Sequence, residues 1–206
     1  MIQDFTEIAF SPAVKPMQER LGVRTANEEL AKRQKTRGMN KITPALKTYL
    51  SQCKSLYMAS ASLAGQPYIQ HRGGPEGFLH VLDDTHIAFA DFPGNKQYIS
   101  LGNLSENPQV LLFLMNYAER QRIKIWGTAY IIERGEDEIL VEKLSPPASS
   151  LYPLRAIKVE IQAWDINCPA HIPELYPAHH IAAAMDKLQA RIAELEYELS
   201  RLKKQP

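Results

Sequence analysis

The hydrophobic positions change their period along the chain, and the changes mark its elements. From Phe5 to Asn40 apolar residues are scattered among polar ones, with Pro12 and Pro16 early and helical spacing confined to about Ala26–Lys35. That stretch reads as an arm. Thr43 and Pro44 then signal a helix start, because a Thr hydroxyl can accept from the free N–H groups of a first turn and Pro has no N–H to leave unpaired there. Leu46, Tyr49 and Leu50 carry the helix to about Gln52.

Strand patterns follow. Leu56–Leu63 and Pro67–His71 flank the turn Ala64, Gly65, Gln66 and predict a β-hairpin. His86–Asp91 and Val110–Tyr117 predict two more strands, and the unbroken apolar run from Val110 to Met115 predicts one that is covered on both faces at the centre of a sheet. Lys96–Leu104 has helix-compatible spacing and ends at Asn107 and Pro108. Arg122–Ile132 alternates, with Arg122, Lys124 and Trp126 on one face and Ile123, Ile125 and Gly127 on the other. After a charged loop, Glu133–Glu138, and a connection at Pro146 and Pro147, a last strand runs from Leu154 to Trp164. Six strands with one short internal helix predict a mainly β, α+β fold built on an antiparallel barrel.

The tail has a third period. Ile181, Met185, Leu188, Ile192, Leu195, Leu199 and Leu202 are spaced alternately four and three apart, a heptad seam with Met185, Ile192 and Leu199 at a. In a parallel pair Arg191 would meet Glu196, and Glu198 would meet Lys203. The seam either pairs between subunits or packs on its own barrel. The chain thus divides into an arm (1–42), a barrel (43–172) and a terminal helix (178–204).

Composition adds exclusions. The net charge is +1 over 206 residues, so nothing in the overall balance calls for a nucleic-acid or membrane partner. Two cysteines, Cys53 and Cys168, are too few for a disulfide framework; Met1–Phe10 has no apolar leader core, and no run reaches the length of a membrane span. A cytoplasmic protein is expected.

Candidate chemistry gathers at three polar clusters. The strand ending at Asp91 opens through Pro93 and Gly94 into a predicted helix with Asn95 at its cap, and a helix start with Lys96 beside it suits a phosphate. Gln70, His71 and Arg72 precede Gly73 and Gly74, where backbone can approach a ligand. Arg120, Gln121 and Arg122 open another strand. Convergence of the three on one mouth of the barrel would suit an anionic cofactor with a planar head. Cys168, His171, His179 and His180 match no closed zinc site, so no metal is expected.

In this order, Gly65 to Pro67, Gln70 to Arg72, Phe89 to Phe92 with Gly94 to Gln97, Asn107 with Pro108, and Glu119 to Arg122 with Trp126 and Gly127 resemble the FMN-binding split barrel of the pyridoxamine 5'-phosphate oxidase superfamily. Phe10–Arg24 is similar to the N-terminal arm of a branch distinct from the oxidases themselves. The resemblance implies a six-stranded split barrel and a homodimer with FMN sites at the subunit interface. It implies that Gln70, His71, Arg72, Asn95, Lys96 and Gln97 hold the ribityl phosphate, that Ala90 and Asp91 lie near the ring or ribityl chain, and that Gln121, joined by Arg122, approaches from the partner. Trp164 or His171 would stand over the flavin, with His171 the candidate catalytic proton donor; otherwise Asn167–His171 is a structural turn. The oxidases carry a basic Arg-Leu-His-Asp-Arg type of terminus that grips substrate phosphate, and this chain runs instead from Trp164 into heptads, so a different small-molecule substrate is expected. The function expected is FMN-dependent oxidoreduction. The alternative is a split barrel that binds haem or another planar cofactor without flavin turnover, with His71, His80, His86 and His171 as candidate ligands.

Overall fold

A computed structural model describes residues 5–145, 152–166 and 169–203, except the side chains at 35, 179, 180 and 183. The turn residues Asn167 and Cys168 and the connection at Pro146 and Pro147 lie outside these. Two compact units result, one within residues 1–115 and 122–168, the other within 116–121 and 169–206.

The first unit is a seven-stranded antiparallel sheet with helices, an α+β fold. Its strands are β1 (Ser55–Ala61), β2 (Pro67–Gly73), β3 (His80–Val81), β4 (His86–Asp91), β5 (Gln109–Asn116), β6 (Gln121–Glu133) and β7 (Arg155–Ile166), in the order β2-β1-β5-β6-β7-β4-β3. The expected count of six missed β3, whose two residues are too short to show alternation. No backbone ladder joins the edge strand β2 to β3 or β4 among the described residues, so the sheet is open rather than a closed barrel. It is nevertheless strongly curled: Arg72 on the edge strand β2 forms an ion pair with Asp91 on β4, five places along the order.

Alternation fills the hollow of the curl. Val110, Leu112 and Leu114 of β5, Ile123 and Ile125 of β6, and Ile157, Val159 and Ile161 of β7 point into one core. The helix α4 (Pro44–Gln52) adds Leu46, Tyr49 and Leu50 to it and begins as expected, with Thr43 Oγ1 accepting from the Leu46 N–H at 3.2 Å. A smaller cluster, Ala88, Ala156, Val141 and Leu144, lies on the other face of β4 and β7. Its last two residues come from α6 (Glu138–Lys143) and its end, next to the predicted charged loop. Asp137 caps that helix through Leu140 N at 2.9 Å, but six residues are too few to show a helical period.

The N-terminal arm is more ordered than its scattered pattern implied. It forms α1 (Phe5–Ala9), α2 (Val14–Arg20) and α3 (Arg24–Thr36) and belongs to the same compact unit as the sheet. Phe5 stacks on Trp126 with ring centroids 5.5 Å apart, and Gln34 Nε2 donates to Asp165 Oδ1 at 3.1 Å, both buried residues. Burial raises the Asp165 carboxyl above its usual range, against the pull of Lys124 and Arg122.

In the second unit α7 (Ala178–Lys203) spans the predicted heptads. Among the described residues no helix is long and apolar enough to cross a membrane.

Candidate functional site

The alternation of β2 sends Tyr68, Gln70 and Arg72 to one face and Ile69 and His71 to the other. The first face lines a shallow, open cleft, together with Asp91, the turn from Phe92 to Tyr98, the start of α5 (Ile99–Glu106) and Arg155.

Charge dominates this cleft. Asp91 is 4 % exposed and bridges two guanidiniums, Arg72 and, at 3.1 Å, Arg155. Arg155 is further held by Glu133 at 3.0 Å and lies 5.9 Å from the centroid of the Tyr98 ring, within cation–π range. Arg72 Nε is buried without a hydrogen-bond partner, and Lys96 has no partner among the described residues. Three cations thus face two carboxylates, leaving the cleft net positive.

Lys96 and Tyr98 take left-handed φ angles of 58° and 54°, sparsely populated for side chains of their size. Asn95 Oδ1 accepts from the Gln97 N–H at 3.2 Å, and Asn95 Nδ2 donates to Gln97 Oε1 at 3.1 Å. Asn95 therefore caps the turn and not the helix. The two left-handed residues delay the helix to Ile99, so the expected start at Lys96 is three residues early. No side chain caps α5, and its first residues, Ile99 to Leu101, line the cleft. Ser100 Oγ donates to Gln70 Oε1 at 2.7 Å, tying the helix to β2.

Of the expected site residues, Gln70, Arg72, Asp91, Asn95, Lys96 and Gln97 share this cleft. His71 does not: it lies on the opposite face of β2, edge-on to Tyr57 at 5.6 Å. Ala90, one residue from Asp91, turns its side chain to the smaller cluster. Trp164 belongs to the main core, and its Nε1 donates to the Lys41 carbonyl at 2.8 Å, so its ring is packed away from any ligand. Arg122 lies on the Trp126 face of β6, its Nε buried and unpartnered, while Gln121 and His171 fall in the second unit, His171 exposed with φ 65°. Arg155, Tyr68, Tyr98 and Ser100 were missed.

Within the first unit His71, His80 and His86 lie on three different strands or their ends. His86 is held by Asp83 at 3.0 Å, and His80, on β3, is pushed below its usual pKa by burial and then by Lys143. Among the described residues no group of three or more His, Cys, Asp or Glu gathers as a metal would need. Burial pushes the Cys53 thiol up to about 11. In a Cys168→Ser variant at pH 8, disulfide reagents are therefore expected to react with native Cys53 about 100-fold more slowly than with free cysteine, as the small thiolate fraction requires. Reaction at the free-thiol rate, followed by absorbance, would show that Cys53 is not enclosed.

Comparison with known proteins gives a family match over most of this unit. A family model described as pyridoxamine 5'-phosphate oxidase matches residues 42–168. No curated protein matches the chain. Among solved structures the chain is similar to HupZ of Group A Streptococcus, at 18% identity over 61% of this chain and 93% of that one, with TM-score 0.48. It is also similar to general stress protein 26 of Bacillus anthracis, at 17% identity over 58% and 89%, with TM-score 0.44. An FMN-binding protein of Syntrophomonas wolfei matches at 13% identity over 70% and 95%, with TM-score 0.45.

Proposed function

As the chain belongs to the pyridoxamine 5'-phosphate oxidase family, we propose that it is an FMN-dependent oxidoreductase acting on a small molecule, with the cofactor phosphate held between β2, the 92–98 turn and α5. The observation that carries the reading is the set of cationic and donor groups lining one cleft: the Arg72 guanidinium, the Lys96 ammonium and the start of α5, which no side chain caps. A phosphate matches that set, since its oxygens accept several charge-assisted bonds at once. FMN bound there would supply electron or hydride transfer. The side chains have the simpler tasks of binding and orienting: Arg72 and Lys96 neutralise charge, Gln70 is held ready by Ser100, and Asn95 fixes Gln97.

A homodimer belongs to the same reading. The apolar run of β5 puts Val110, Leu112 and Leu114 in the core and leaves Leu111 and Phe113 half-buried on the outer face. Beside them Tyr57 and Ile69 are exposed on β1 and β2. A contiguous apolar sheet face of this kind fits a second copy, which would bring further residues, Gln121 among them, to the cofactor.

Purified protein is expected to carry a yellow chromophore that reverse-phase chromatography identifies as FMN. Lys96→Ala, at an exposed position, should fold normally and bind FMN about tenfold more weakly, and Arg72→Ala with Lys96→Ala about 100-fold more weakly, as loss of one and two charged hydrogen bonds implies. Unchanged affinity in both would move the site elsewhere. A Soret band on haemin addition, with no flavin retained, would overturn the cofactor.

A further inference from the structure

The face of α7 from Ile181 to Leu202 lies open along its whole length, each seam residue between 41% and 65% exposed. A row of large apolar side chains running most of the length of a 26-residue helix, about 32 Å from Ile181 to Leu202 at the usual rise, is too long to be incidental surface. We propose that α7 pairs in parallel with α7 of a second copy of this chain, as a two-stranded coiled coil.

Three features select this occupant. The seam repeats every 3.5 residues, the period that keeps a stripe facing one partner helix of the same pitch, whereas a helix laid on a globular body carries a wider stripe at 3.6. Leu188, Leu195 and Leu202 occupy d and the central a position is the β-branched Ile192, a combination that favours two strands. The flanking charges choose the direction. In parallel register Arg191 faces the partner's Glu196, and Glu198 faces the partner's Lys203; two-fold symmetry repeats both contacts. An antiparallel register that stacks Met185 on the partner's Leu202 keeps only the Arg191 and Glu198 contact, places Lys203 opposite an uncharged Ala182 and leaves Ile181 beyond the partner helix. Within its own chain Arg191 already bonds Glu194, but both side chains stay more than half exposed, so the guanidinium has donors left for a second carboxylate.

The inference goes beyond the proposed function and does not depend on flavin. The full chain with Cys168→Ser is the background, since Cys53 is buried. Ile192→Cys, at a, is expected to convert most of the protein to a disulfide-linked dimer on mild oxidation. Glu194→Cys, on the outer side of the helix, is expected to stay monomeric on a non-reducing gel, as the background does. Equal conversion of the two variants, or none in either, overturns the pairing. Stronger linkage in a mixture of Ile192→Cys with Leu195→Cys than in Ile192→Cys alone overturns the parallel direction. Efficient linkage in a protein that binds no FMN would leave the pairing standing and remove only the cofactor assignment.

Discussion

Asp91→Ala is expected to lower stability by about 3 kcal/mol, because it removes the one carboxylate that two largely buried guanidiniums share. Removing one partner of a buried ion pair costs about 3–5 kcal/mol, since the other charge is left without compensation. The lower end applies here. Arg155 keeps Glu133, and both arginine side chains retain a little exposure, 13% and 15%, through which water can reach them. Arg72 has no such fallback, as its Nε is already unpartnered. The variant should also respond more than the parent to inorganic phosphate, whose charge can replace the missing carboxylate between the guanidiniums. Urea denaturation with and without phosphate reads both effects. A loss below about 1 kcal/mol would mean that the arginines swing into solvent and that Asp91 does not organise the cleft.

What the sequence made legible was set by local rules. The Thr43 cap, the alternation of β6 and the span of α7 are each written within a few neighbouring residues. Half of the cleft was legible for the same reason, since Gln70, Arg72 and Asn95 to Gln97 lie in short polar runs next to turns. His71 could have been set aside on alternation alone, because a strand that points Gln70 and Arg72 inward points the residue between them outward. Arg155 could not have been found that way. It lies 64 residues from Asp91 and meets it only through the pairing of β4 with β7, in which Asp91 stands opposite Arg155. The contacts of the arm were illegible for a similar reason: the ring that Phe5 covers is Trp126, far along the chain, and no local period records such a contact. Trp164 reads as a ligand-stacking ring until the core closes around it.

Gly127→Ala is expected to destabilise the fold by about 3 kcal/mol or more, at the upper end of what overpacking usually costs. An added Cβ would stand 2.4 Å from the Glu160 carbonyl oxygen and 2.8 Å from Val159 Cγ1. A valine methyl can turn away alone, but the carbonyl is backbone of β7, where Glu160 stands opposite Thr128. Relief therefore requires the strands to part. The close approach has a visible cause: Trp126 stands opposite Ala163 but Gly127 opposite Ile161, so the register slips at this point and Gln162 has no residue facing it. A bulge of this kind sharpens the bend of the strand and brings backbones together, which helps a sheet curl far enough for Arg72 to reach Asp91. Gly135→Ala is the matched control, as nothing lies within 4 Å of a Cβ there, and it should change stability by no more than about 0.5 kcal/mol. Thermal unfolding should separate the two by about 6 °C or more. If Gly127→Ala unfolds with its control, the bulge must slide at little cost, and curvature at the cleft would have to come from the turns instead of from this point on β6.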